Sequence, residues 1–271
     1  MPAFGKTFVR RSTCVAVDLS FSETGTGRPL VILHGLFGSK RNWASIAAKL
    51  AAHRHVVTVD LRNHGQSPWA DRNDYPALAD DVAGLIRAHV GSPAAVLGHS
   101  MGGKVAMMLA LTAPELVERL VVVDIAPARS QSDSLAVLRA MKAVPLSACA
   151  RRGDVEAALA ADIPDRAVRG FVAQNVRIAP EGLSWGVNLD ALERHADDIL
   201  GFPEIPDGRR FDKPTLFIAG GRADYIRPEH HAEISRLFPL ATIATIANAG
   251  HWVHADAPEA FLATVTEFTM A

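Results

Sequence analysis

Short apolar runs, each halted by a glycine or a turn-forming acidic residue, recur along this chain with helix-patterned stretches between them. "RPLVILHG" stops at Gly35, "RHVVTVDLRNHG" turns after Asp60, and "AAVLG" stops at Gly98. "RLVVVDIAP", "KPTLFIAGG" and "LATIATIA" repeat the form. Runs this short and continuous suit strands buried on both faces, as in a parallel sheet. Between them, "NWASIAAKLAA" sets Trp43, Ile46, Ala47 and Leu50 on one helical face. "DYPALADDVAGLIRAHV" does the same with Leu78, Val82, Leu85 and Ile86. Such alternation points to an α/β fold with a mostly parallel central sheet flanked by helices. An earlier stretch, "TCVAVDLSFSETGTG", alternates like a strand and closes on a Gly-rich turn.

The alternation breaks between residues 129 and 210. There "SLAVLRAMKAV", "GDVEAALAADI", "DRAVRGFVAQNVRI" and "NLDALERHADDIL" all have helical spacing, and prolines and glycines separate them. The expected organisation is one core domain, residues 1–128 and 211–271, with a helical cap at 129–210 inserted into it. A length of 271 residues is ample for one core of this size.

One turn carries chemistry. After "AAVLG" comes Gly98-His99-Ser100-Met101-Gly102, and then an apolar helix. A G-x-S-x-G between strand and helix is the pattern of a nucleophile elbow, a sharp turn that exposes a serine hydroxyl. The glycines leave room where the chain folds back on itself, and the helix beginning at Ser100 turns free N–H groups and a favourable dipole toward developing negative charge. A serine needs a base. "NAGHWVHADAP", after the last strand-like run, offers His251 and His254, and His251, following Gly250 in a loop, is the better placed. His99 reads as a packing and hydrogen-bonding residue; His230 and His231 read as solvated. The base needs a carboxylate, and two compete at the carboxyl edge of the sheet: Asp224 in "AGGRADYIRPEH" and Asp124 in "VVVDIAP". For the oxyanion, the residue after the nucleophile supplies one N–H, hence Met101, and the loop "LHGLFGS" supplies a second from Leu36. Phe37, Trp185 and Trp252 are candidate substrate-binding residues.

The remaining composition excludes classes more than it selects them. A formal net charge of −1 gives no reason to expect nucleic acid. Cys14 and Cys149 are far apart, lack metal-ligand spacing, and read as free thiols. "MPAFGKTFVRRSTC" has no signal-like apolar core and no run reaches membrane-helix length. The expectation is a cytoplasmic protein without a membrane partner; oligomeric state is not readable.

Together "VILHGLFGSKRNWASIAAKL", "VVTVDLRNHGQSP", "LGHSMGGKVAM", "VVVDIAP" and "AGHWVHADAPEAF" resemble the α/β-hydrolase superfamily, and within it the YbfF-type esterase branch. The resemblance spans the sheet domain and only loosely residues 129–210. It implies an α/β-hydrolase fold, esterase activity on small acyl esters or thioesters, no cofactor or metal, and a helical cap over the pocket. It implies Ser100 as nucleophile, His251 as base, and Leu36 and Met101 as oxyanion donors. In that branch the aspartate of "VDIAP" serves as acid, whereas "GRAD" before Pro228 matches the wider superfamily's acid loop. Asp224 is therefore preferred here, with Asp124 as its competitor. The fold hosts many chemistries. Ser100 argues against the aspartate-nucleophile dehalogenases and epoxide hydrolases. Perhydrolases, lactonases, C–C bond hydrolases and a non-catalytic small-molecule receptor stay as alternatives.

Overall fold

A computed structural model describes residues 16–131 and 133–271 of the chain. Cys14 and the start of the "TCVAVDLSFSETGTG" stretch lie outside the described residues.

The first half of the chain alternates as its pattern requires. Strand β1 (Phe21–Thr24) precedes β2 (Pro29–Leu33), helix α1 (Ala44–Leu50), β3 (His55–Val59), α2 (Tyr75–Leu85), β4 (Ala94–His99), α3 (Met101–Thr112) and β5 (Val117–Val123). Asp74 caps α2 by accepting from the Ala77 N–H, with Pro76 in the first turn, where a missing N–H costs nothing. Residues 129–210 then supply α4 (Ser134–Ala143), α5 (Arg152–Ala158), α6 (Arg166–Ala173), a hairpin of β6 (Val176–Ala179) and β7 (Gly182–Trp185), α7 (Leu189–Arg194) and α8 (Ala196–Leu200). The chain re-enters the sheet as β8 (Thr215–Gly220), then α9 (His231–Leu237), β9 (Ala241–Ile246), α10 (Val253–Asp256) and α11 (Pro258–Met270).

The hairpin corrects the all-helical expectation for residues 129–210. Its strands pair antiparallel, Val176 with Trp185 and Ala179 with Gly182. Only Val176 of the pair is fully buried. A half-exposed strand of four residues leaves no apolar run to read, and "QNVRI" passes as the tail of a helix.

Among the described residues, seven strands form the main sheet in the order β1-β3-β2-β4-β5-β8-β9. β1 runs antiparallel to β3, and every other neighbouring pair is parallel. Alternate residues of β2 show why its run is apolar throughout. Leu30 and Ile32 pack on one face with Trp43, Ile46 and Leu50 around α1 and with Phe261 and Val265 of α11. Val31 and Leu33 pack on the other face with Leu78 and Val82 of α2 and Val105 of α3. Burying each such side chain contributes roughly 1.5–3 kcal/mol. Among the described residues, no helix is long and apolar enough to cross a membrane.

Strand order fixes where chemistry can occur. From β2 the sheet continues to β3 on one side, and from β4 to β5 on the other. The loops after β2 and β4 therefore leave in opposite directions and open a crevice at the carboxyl edge, where open α/β sheets bind ligands. His34 and Ser100 are the first residues of those two loops.

Candidate active site

Ser100 stands at the turn between β4 and α3 with φ 53° and ψ −121°. Few non-glycine residues adopt this backbone, and such strain is typical of functional sites. The fold holds it there. The Ser100 N–H donates to the Val123 carbonyl at 3.0 Å, and its own carbonyl accepts from Gly103 and Lys104. The turn is tight enough to require glycine on both sides: a Cβ on Gly98 would meet the Gly102 carbonyl oxygen at 2.1 Å, and one on Gly102 would meet the carbonyl oxygens of Leu33 and His34 at 2.5 Å.

His251 reaches this hydroxyl. Its Nε2 lies 3.0 Å from Ser100 Oγ, and its Nδ1 lies 2.8 Å from Asp124 Oδ2. With a carboxylate at Nδ1, the proton belongs on Nδ1 and the Nε2 lone pair faces the serine. Asp124 is wholly buried and over-determined. It sits at the end of β5 with φ 50°; its N–H donates to the Ile218 carbonyl, and its Oδ1 accepts from the Gly220 N–H at 2.9 Å. The carboxylate that the structure brings to His251 is therefore Asp124. Asp224, preferred from the sequence, instead lines a separate cavity of about 190 Å³ with Arg129, Arg227 and His230. The reason is local. Gly221, Arg222 and Ala223 are tied back to Ile246, Ala249 and Gly220, and the next turn lays Tyr225 rather than Asp224 against the imidazole. The Tyr225 and His251 rings stack at 3.9 Å between centroids, inclined by 24°.

A second imidazole fixes the histidine loop. His99 Nε2 donates to the His251 carbonyl at 2.8 Å. Burial, then the neighbouring His251 and His254 rings, hold His99 well below the usual histidine range, so it stays a neutral donor.

The loop after β2 is held by two further neutral imidazoles. His34 Nε2 accepts from the Leu61 N–H at 3.0 Å while Nδ1 donates to the Gly35 carbonyl at 2.8 Å. His64 Nε2 accepts from the Phe37 N–H at 3.3 Å while Nδ1 donates to the Arg62 carbonyl. Accepting at Nε2 requires a neutral ring, and burial, followed by the facing His34, pushes His64 down to about 3. From the inserted segment, Asn175 Nδ2 donates to the Phe37 carbonyl at 2.7 Å. Phe37 is itself left-handed, with φ 60°. Among the described residues, the N–H groups of Leu36 and Met101 have no protein acceptor. These are the two donors singled out in the sequence.

A cavity of about 390 Å³ lies over Ser100, within the usual range of small-molecule sites. The sheet domain gives it Leu36, Phe37, Tyr225 and Trp252; the inserted segment gives it Val137 from α4 and Val168, Phe171 and Val172 from α6. Phe37 and Trp252 thus line it as expected. Trp185 does not: it lies on β7, half-buried against the core. The reason is again the hairpin, which turns Trp185 into its own packing. Sequence reasoning missed Tyr225, His64, Asn175 and the buried Lys104. The last had a visible signal, a charge inside "MGGKVAMMLAL".

The arrangement can deliver a hydroxyl, with its proton accepted by an imidazole, to a carbonyl whose oxygen meets two free N–H groups. Comparisons place it among known proteins. The model of a family described as alpha/beta hydrolase fold matches residues 28–258. The chain is 44% identical over 249 residues, 88% of its length and 80% of the relative's, to a Mus musculus protein named sn-1-specific diacylglycerol lipase ABHD11. It is 34% identical to Esterase YbfF of Escherichia coli (strain K12), covering 89% of this chain and 92% of that one. A solved structure described as a marine microorganism esterase superposes with a TM-score of 0.90 at 34% identity, covering 93% of this chain and 100% of the other. This chain belongs to the α/β-hydrolase fold family, in the branch that contains the YbfF-like esterases.

Proposed function

We propose that this protein is a serine hydrolase that cleaves carboxylic esters or thioesters through an acyl-enzyme. The carrying observation is the unbroken chain Ser100 Oγ, His251, Asp124, whose first two members line the cavity while the third is buried behind them, beside the unpaired N–H groups of Leu36 and Met101. Ser100 attacks the ester carbonyl as His251 Nε2 takes its proton. Asp124 stabilises the imidazolium. The N–H groups of Leu36 and Met101 hold the oxyanion, each contributing about 3 kcal/mol to the transition state. His251 then protonates the departing alcohol or thiol, and water repeats the sequence on the acyl-serine. Residues 129–210 act as the cap, since α4 and α6 roof the cavity. No step calls for a cofactor or metal.

A second cavity, about 780 Å³, shares Asn42, Phe171, Trp252 and His254 with the first. It gives the bulky alcohol half of an ester a place to lie. This supports glycerides beside simple esters as substrates, the class named for the mouse relative. The test is a panel of nitrophenyl esters, acyl-CoA thioesters and monoacyl- and diacylglycerols, run beside Ser100→Ala. Turnover of at least one class is expected to fall by about 10⁴-fold or more in the variant, and a fluorophosphonate is expected to modify Ser100. A correctly folded protein with no adduct at Ser100 would overturn the proposal in favour of a binding role.

A further inference from the structure

Lys104 follows Ser100 by one turn of α3, in a helix buried from Met101 to Leu111. The residue is 1% exposed. Its Nζ donates to Ser130 Oγ at 2.8 Å, to the Leu200 carbonyl at 2.8 Å and to the Gly201 carbonyl at 2.6 Å. Those acceptors match the three donors of an ammonium group, and among the described residues no carboxylate pairs with it.

The acceptors lie at opposite ends of the inserted segment. Ser130 is at its leading end; Leu200 and Gly201 are at its trailing end. The Ser130 N–H also donates to the Leu200 carbonyl at 2.8 Å, so the ends are joined to each other as well as to α3. Tyr75 of α2 adds a bond from its hydroxyl to the Ile199 carbonyl at 2.6 Å, and the Lys104 Nζ lies 5.8 Å from its ring centre. Lys104, Ser130 and Leu200 enclose a chamber of about 20 Å³ together with Leu36, Ser100 and Met101. The node thus backs directly onto the proposed oxyanion site.

We propose that Lys104 is a positioning residue that ties the nucleophile helix to both ends of the cap, so that cap closure and the setting of Ser100 and Met101 are held by one side chain. The inference rests on Ser100 being the nucleophile only for its kinetic readout. A buried lysine is a costly way to pin two loops, and apolar packing would serve stability alone at less cost. Three outward-reaching donors on a long stem reach acceptors that no apolar side chain in α3 could hold.

Arg129, paired with Asp197 at 2.8 Å, acts on the Lys104 amine from the leading end of the segment. Tyr75 faces it from α2 and Tyr225 from the loop after β8. Burial, and then the Arg129 charge, push the Lys104 amine down from 10.5 to about 7. The three oxygen acceptors oppose that shift, because a neutral amine has only two N–H donors to offer them.

The test compares wild type with Lys104→Met by hydrogen exchange and kinetics. Exchange of the Ser130 and Gly201 amides is expected to quicken by about tenfold or more in the variant. KM is expected to rise by about tenfold with a smaller fall in kcat. Wild-type exchange, KM and kcat in a folded Lys104→Met protein would overturn the proposal. If that variant does not fold, Ser130→Ala carries the test, because it deletes the leading-end acceptor and keeps the lysine: unchanged exchange at residues 129–131 overturns the tether. Exchange requires no turnover, and fluorophosphonate labelling of Ser100 reads the nucleophile separately, so each idea can fail alone.

Discussion

The loops that follow β5 and β8 leave the same edge of the same sheet, side by side, and each carries an aspartate. They end differently. Asp124 is the first residue after β5, turned left-handed, with its backbone and one carboxylate oxygen fastened to β8. Asp224 comes four residues after β8 ends at Gly220, beyond a turn fastened to the β9 side. A side chain hung on the end of a strand inherits the precision of the sheet. One displaced by four residues of loop inherits the path of the loop. The result is a division of labour: the first loop gives His251 its carboxylate, and the second gives it an aromatic wall, Tyr225.

The contrast is open to breakage. Asp124→Asn keeps an oxygen for the Gly220 N–H but presents an amide donor to His251 Nδ1. The imidazole is then driven to the tautomer with its proton on Nε2, facing Ser100, and kcat is expected to fall by about 10⁴-fold with the fold intact. Tyr225→Ala removes the wall and leaves the hydrogen bonds, so a loss of about tenfold is expected, mostly in kcat, as the ring gains freedom. Asp224→Asn is expected to change kcat/KM by less than about threefold, as for a surface substitution remote from the reacting atoms. Equal losses at Asp124 and Asp224 on a common ester substrate would erase the distinction between the two loops.

How much of this was legible before the structure depends on the same contrast. The inner strands of the main sheet announced themselves because burial on both faces leaves mostly apolar residues, as at Val31 and Ile32, whereas the edge strands β1 and β9 are largely exposed. The elbow announced itself because only glycine fits at Gly98 and Gly102. The proximity of Ser100, His251 and Asp124 was legible only as three residues that follow strands β4, β9 and β5, since sequence order does not say which of two adjacent loops supplies the carboxylate. The β6–β7 hairpin was illegible because each strand is four residues long, too short for its alternation to stand out beside a helical pattern. The misreading of Trp185 followed from it. Lys104 stood in plain view and was passed over because its acceptors are a backbone carbonyl pair and a hydroxyl some 26 to 97 residues away, a separation no local pattern encodes.

One small contact has a large mechanical consequence. Asn175 reaches from the inserted segment to the carbonyl of Phe37, the next residue after Leu36. If the inserted segment is the proposed cap, any outward swing must release that carbonyl or carry it along, so access to the cavity and the aim of the proposed Leu36 donor are coupled through one amide side chain.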